Sequence, residues 1–276
     1  MSLTVYDTNE QTAKTAVAEI VDYVDELEKL FSTRLPGSAL KRFRFSEQDF
    51  QDFENLPAEF EEVLALSLEW MDKTDGAFNV QLQNLTSLWA FDSDEPRVPS
   101  DEEIAAALSE TAQLDFGAVA KGYAARKAAL ILESHGIKSA IINLGGDVYI
   151  MGDSRSVGII DPLEPSRICG VLNVSNKAVA TSANYERYFE VQGERYHHIL
   201  DSKTGKPAQS GIISATVITD DPAVADILAT AFYVMGEQKA AEFKENFNLT
   251  YVDYILVDET GRQFLSEGFS VEYEPK

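Results

Sequence analysis

The 276-residue chain has one cysteine, Cys169, and only three histidines. A single thiol excludes an internal disulfide and any thiolate metal cluster. Cationic residues are also scarce: 23 Lys and Arg stand against 46 Asp and Glu, a formal net charge of −23. Nucleic acid is therefore not an expected partner, because phosphate backbones select Lys/Arg-rich surfaces. The same field repels anionic ligands, which must be held by a local cluster of donors or by a metal. Long apolar runs are missing too. None reaches the ~18 residues of a membrane span, so no transmembrane segment is expected. The opening stretch MSLTVYDTNE lacks the basic and apolar regions of a signal peptide. The expected location is cytoplasmic for the chain as it stands, and membrane-anchored or exported if a leader once preceded it.

What is present is ordinary globular material, 45% hydrophobic, enough for a large core. From Glu10 to Phe31, Ala13, Val17, Ile20, Val21, Val24 and Leu27 recur at helical spacing. A second helix is expected from Pro57 to Lys73. Ser100 and Glu103 form a capping box ahead of a short third. A fourth, from about Ala118 to Ser134, stops at Gly136. Beyond it the texture changes to short β-rich segments such as SAIINL, VYIM, CGVLNV and AVATSA, separated by Gly, Asn or Asp. Gln192-Gly193 reads as a hairpin turn. DPAVADILATAFYVMG is a helix with Pro222 in its first turn and Gly236 past its end. A further helix and a closing hairpin follow. The expected fold is mixed α/β (α+β), one domain over 1–276, helix-rich to about residue 113 and largely antiparallel sheet from about 114.

Four stretches carry candidate chemistry. In LDFGAVAKGY (Leu114 to Tyr123) a strand end, small residues and a helix start leave free backbone N–H groups for an anion, with Lys121 close by. The alternative is structural, with Asp115 as an N-cap and Lys121 solvated. NLGGDVYIMG places two glycines and a carboxylate between strands, as a β-turn also would. In HHILDSKTGKP, His197 and His198 are neighbours in a strand and face opposite sides, so at most one meets a given pocket. Such a histidine can take a proton from a hydroxyl nucleophile near neutral pH, or simply be packed in a sheet. ADILATA sets Asp226 and Thr230 at i and i+4 on one helix face. They form either a hard-oxygen pair suited to Mg²⁺ or an exposed polar stripe.

Taken in chain order, LFSTRLPGSALKRF, TDGAFNVQLQNLTSLWAF, LDFGAVAKGYAARKAA, INLGGDVY, AVATSANYERYF, HHILDSKTGKP and ADILATAFYVMG resemble the FAD:protein FMN transferases of the ApbE family, from about Leu30 to Gly236. The resemblance implies a T-fold-like architecture with a largely antiparallel sheet and flanking helices. It also implies Mg²⁺-dependent transfer of FMN from FAD to a threonine or serine hydroxyl of a target flavoprotein, with release of AMP. Carried over by motif, Asp226 and Thr230 ligate the metal together with the Ala118 carbonyl. Ala77, Phe78, Asn79, Asp115, Lys121 and Leu200 contact FAD. His198 is the candidate base, and with Asp226 makes the catalytic pair. Hydrolysis of FAD to FMN and AMP, and flavin binding without catalysis, are the alternative activities. Departures fall on the ring-binding side: Arg34 stands where the family commonly has an aromatic, Asn79 replaces an Asp, and the family's Met-Gly-Thr strand is not evident at the start.

Overall fold

The computed structural model describes residues 1–42, 56–91, 93 and 95–271. Phe43, which closes the first of the seven motifs, lies outside them. The chain opens with β1 (Ser2–Val5), followed by α1 (Glu10–Phe31), α2 (Ala39–Arg42), α3 (Ala58–Lys73), α4 (Gln83–Trp89), α5 (Asp101–Ser109) and α6 (Ala120–Ser134). Seven strands come next: β2 (Ala140–Leu144), β3 (Asp147–Met151), β4 (Arg155–Ile160), β5 (Ile168–Val174), β6 (Lys177–Ala183), β7 (Tyr188–Val191) and β8 (Glu194–His197). β9 (Ile212–Thr219), α7 (Pro222–Asn246), β10 (Asp253–Asp258) and β11 (Gln263–Leu265) complete it.

The main sheet runs β1-β2-β3-β6-β9-β10-β11, and β4-β5 and β7-β8 form two-stranded sheets. Every strand pairing in these sheets is antiparallel. Side-chain alternation, period two, sorts the core into two layers. Tyr149 and Met151 of β3, Ala178 and Ala180 of β6, and Tyr254 and Leu256 of β10 join the helices α1, α3, α6 and α7. Their neighbours Val148, Ile150, Val179, Ile255 and Val257 face the other way, onto Val157, Ile159, Leu172 and Val174 of β4-β5. β9, with all eight residues buried, lies between β6 and β10.

Local signals behave as their chemistry requires. Asn9 caps α1 through the Thr12 N–H at 2.9 Å, and Ser100 and Glu103 close the expected capping box on α5. Gln192 and Gly193 both take positive φ, 54° and 85°, as a two-residue hairpin turn demands. Gly236 leaves helical geometry at φ 77°, dividing α7 where the sequence placed a stop and a restart. Other details differ from expectation. β1 was not foreseen: four residues at a sheet edge carry too little pattern. α4 was also missed, since its buried anchors are only Leu85 and Trp89. α6 begins at Ala120 rather than Ala118, and its N-cap is Val119 without a side-chain bond. Asp115 is no cap; its Oδ1 accepts instead from the Gly117 N–H at 2.8 Å.

The crossing of α6 on α7 positions everything that follows. At Gly122 a Cβ would lie 2.2 Å from the Pro222 carbonyl oxygen and 2.8 Å from Ala223 Cα. Opposite it on α7, Ala225 and Ala229 are buried. Arg126 of α6 clamps the Asp221 cap of α7 with two bonds, Nε at 2.9 Å and Nη2 at 2.5 Å. Gly122→Ala is expected to destabilise the fold by about 3 kcal/mol, because backbone, not a flexible side chain, must yield. A urea midpoint within experimental scatter of the parent would refute that close approach.

Candidate active site

The close helix crossing lets Asp226, one turn into α7, accept the Gly122 N–H at 3.0 Å through Oδ2. Gly122 N–H would otherwise bond the carbonyl four residues back, that of Ala118. Among the described residues no main-chain donor meets the Ala118 carbonyl. The other oxygen of Asp226, Oδ1, stands 3.1 Å from the Lys121 ammonium, which also touches Asp147 Oδ2. Asp147 Oδ1 accepts from the Thr181 N–H at 3.2 Å. Thr230, one turn beyond Asp226, has its hydroxyl 3.1 Å from that of Ser182. One ammonium thus lies between two buried carboxylates, at the junction of α6, α7, β3 and β6.

Lys121, Thr181, Ser182, Asp226 and Thr230 line a cleft of about 370 Å³ that also meets Asp115, Gly117, Ala118, Glu186, Arg187 and His198. A wider and more apolar cavity of about 540 Å³ shares Thr86, Asp115, Gly117, Lys121 and Arg187 with it, and adds Val24, Leu27, Phe31 and Arg34. Both volumes are of small-molecule size.

Burial sets the electrostatics. It would depress the Lys121 amine, but the Asp226 and Asp147 carboxylates outweigh it and hold the ammonium above its ordinary range. Burial, then the charge of Asp226, pushes the Asp147 carboxyl upward against the pull of Lys121. Burial also raises Glu186. His198 is lowered to about 4, first by burial and then by the Arg187 charge. Its Nδ1 lies 3.2 Å from the Arg187 carbonyl. As donor there, the neutral ring keeps its Nε2 lone pair free. His197 faces inward; its Nε2 lies 3.2 Å from both the Ala208 carbonyl and the Tyr233 hydroxyl, and burial lowers it to about 4.

Both imidazoles therefore have folded values below the ordinary 6.5. Above pH 6.5 neither folded nor unfolded chain holds the proton. Between 6.5 and about 4 the unfolded chain alone binds it, so stability falls on acidification through that window and levels off below it. With two such groups the slope approaches about 2.7 kcal/mol per pH unit. Urea midpoints at pH 7 and pH 5 check this; equal midpoints would contradict it.

The sequence profile described as the ApbE family spans residues 1–253 of this chain. The chain belongs to the ApbE family. A Treponema pallidum (strain Nichols) FAD:protein FMN transferase is 33% identical over 224 residues, 67% of this chain and 62% of that relative. The match thus spans less than two thirds of that relative's length. A Klebsiella pneumoniae (strain 342) protein of the same name is 32% identical over 71% of this chain and 72% of its own. Among solved structures, the ApbE protein of Thermotoga maritima superposes with a TM-score of 0.82 at 30% identity, covering 96% of this chain and 92% of its own. The flavinyl transferase ApbE of Pseudomonas stutzeri, in its apo form, gives 0.78 at 26%, covering 93% and 87%.

Set against the residues carried over from the ApbE motifs, the structure brings nine of ten to one cleft. Ala77, Asn79, Asp115, Ala118, Lys121, His198, Leu200, Asp226 and Thr230 all line it. Phe78 does not. Its ring is fully buried in the main core, and its N–H bonds Thr74 Oγ1 at 3.1 Å. Asp226 is 3% exposed, so it is no part of an exposed stripe. His198 stands just past the end of β8 rather than within it. Asp147, Thr181, Ser182, Glu186 and Arg187 were not singled out as site residues. They lie within INLGGDVY and AVATSANYERYF, two of the three matching stretches to which no site residue was assigned.

Proposed function

We propose that this ApbE-family chain transfers the FMN moiety of FAD to a threonine or serine hydroxyl of a target flavoprotein, with Mg²⁺, releasing AMP. The observation that carries the reading is the meeting of the donor-free Ala118 carbonyl with Asp226 and Thr230 in one cleft. The donor chemistry fits a hard cation: a carboxylate, a hydroxyl and a carbonyl, all oxygen. Among the described residues there is no cluster of three or more His, Cys, Asp or Glu suited to a metal. Water and diphosphate oxygens would therefore complete the coordination shell, as Mg²⁺ usually requires. Bound there, Mg²⁺ would supply charge neutralisation at the diphosphate.

The chain's own groups account for the rest. Lys121 brings a fixed positive charge to a protein of net charge −23, and so offsets phosphate charge where it grows. The apolar wall of Val24, Leu27 and Phe31 suits a flat ring system beside the polar cleft. His198, neutral and oriented by the Arg187 carbonyl, accepts the proton of the incoming hydroxyl at Nε2. The acceptor oxygen then bonds the phosphorus of the FMN half as the bridging oxygen leaves with AMP.

The deciding experiment incubates the protein with FAD, Mg²⁺ and an acceptor flavoprotein domain, then measures intact masses and free nucleotides. A covalent FMN increment on the acceptor with stoichiometric AMP is the expected result. Free FMN and AMP without the increment would make water the acceptor. Intact FAD would leave a binding protein only. No helix of the described residues is long and apolar enough to cross a membrane.

A further inference from the structure

The β7-β8 hairpin has no counterpart in the chemistry described so far, although it is attached directly to the cleft. Glu186 and Arg187, which precede β7, and His198, which follows β8, all line the cleft. The hairpin register fixes which main-chain groups are used. Val191 pairs with Glu194 across the two-residue turn, and Phe189 with Tyr196. Arg187 is bonded by the His198 N–H at 3.1 Å. Hydrogen-bonded pairs alternate in an antiparallel ladder, so the N–H and C=O groups of Tyr188 and Glu190 point away from β8. Among the described residues those outward groups have no main-chain partner. Just past β8 the far side of the chain is occupied instead. Ile199 O accepts from the Ala208 N–H at 2.9 Å, and Leu200 pairs with Pro207.

The β7 edge is open and also held stiff. Phe189 stacks on Tyr196, with ring centroids 5.5 Å apart, and packs on Phe91. The Arg195 guanidinium lies 4.1 Å over the Tyr188 ring. The hairpin's flanking residues line the cleft, whereas the other outer strands, β1, β11, β4 and β5, neither line nor directly adjoin it. Unpaired, outward N–H and C=O groups at a two-residue repeat recognise one chemistry, an extended polypeptide.

We infer that the β7 edge binds the acceptor: an extended segment carrying the serine or threonine adds as a third strand along Tyr188 and Glu190. The strand edge starts at the cleft wall, and each residue advances about 3.3 Å. A hydroxyl a few residues along that segment is thereby delivered to His198. This inference rests on the transferase reading and names the contact that reading leaves open.

The test separates the two. A library of 15-residue peptides, randomised around one central threonine, is incubated with FAD, Mg²⁺ and either the parent protein or Glu190→Pro. Proline removes one outward N–H yet breaks no hairpin bond, since Glu190 and Arg195 form a non-bonded pair. Glu190→Ala loses the same exposed ion pair to Arg195 and keeps the N–H, and serves as control. Expected is FMN labelling of peptides by the parent and by Glu190→Ala, about tenfold weaker with Glu190→Pro. FAD cleavage to FMN and AMP with water as acceptor should be equal in all three. Equal labelling by the proline variant would overturn the inference. So would FAD cleavage with no peptide labelled by the parent. A dimer in sedimentation that Glu190→Pro converts to monomer would assign the edge to a second copy and overturn it as well. FAD left intact by the parent would remove the transferase reading, and the inference with it.

Discussion

Asp226→Asn is expected to cut Mg²⁺-dependent release of AMP from FAD by at least about 10²-fold, the scale on which single preorganised charges act. The carboxylate has three tasks in this structure. It accepts the Gly122 N–H that draws α6 away from the Ala118 carbonyl, it pairs with Lys121, and it supplies the one charged oxygen among the three proposed metal donors. Asparagine keeps the shape and at most one of these contacts: an amide turned to satisfy Gly122 presents its NH₂ to the Lys121 ammonium. Helix propensity alone would favour Asp226→Ala as the cleaner probe. The structure argues against it, since alanine leaves a buried N–H and half of an ion-pair set without a partner. Lys121 retains Asp147 in either variant, which limits the loss of stability. Calorimetric titration with Mg²⁺ in the presence of FAD reads metal affinity separately from turnover. Parental affinity and parental turnover in Asp226→Asn would take the residue out of the site.

That carboxylate shows how far the chain can be read without coordinates. α1, α3, α5 and both halves of α7 follow from periodicity, caps and Gly236, because each is long enough, or capped clearly enough, for local chemistry to decide it. The antiparallel sheet follows from short β-rich runs with turn residues between them. β1 and α4 do not: a four-residue edge strand and a seven-residue helix with two buried anchors carry no period.

At the site, the ordered motifs bring together proposed metal donors from the turn before α6 and from α7, more than a hundred residues apart. Spacing alone leaves Asp226 and Thr230 indistinguishable from a solvated stripe. What decides between the two is burial, which belongs to the α6-α7 crossing rather than to either helix. Asp147 is harder still. It reaches Lys121 across 26 positions, from a strand onto a helix. Phe78 fails in the opposite sense. Its motif neighbours Ala77 and Asn79 line the cleft, while the bend tied to Thr74 through the Ala77 and Phe78 N–H groups leaves the ring between them in the core.

His198→Ala is expected to slow FMN transfer by about 10²–10⁴-fold while FAD binding, followed by flavin fluorescence, stays near the parent. The imidazole is placed for proton transfer and for little else: Nδ1 is engaged by the Arg187 carbonyl, and the ring lines the cleft. A partly buried imidazole replaced by a methyl leaves a ring-sized space open to the cleft, so added imidazole in the buffer should restore part of the lost rate. A structural role would show no such rescue. The pH profile gives a second reading. A base must be unprotonated, and a value lowered to about 4 keeps this one unprotonated well below 6.5. The acid limb of kcat/KM should therefore have its midpoint nearer pH 4 than 6.5, as expected for the free enzyme's essential base. That places the loss of activity in the lower part of the window in which the two histidines erode stability, so rates must be taken from protein shown to be folded at each pH. Parental transfer rates in His198→Ala, or an acid limb that the substitution does not move, would pass the proton to another group. Glu186 is then the next to test, because it lines the same cleft and burial already raises its carboxyl toward the range where a base works.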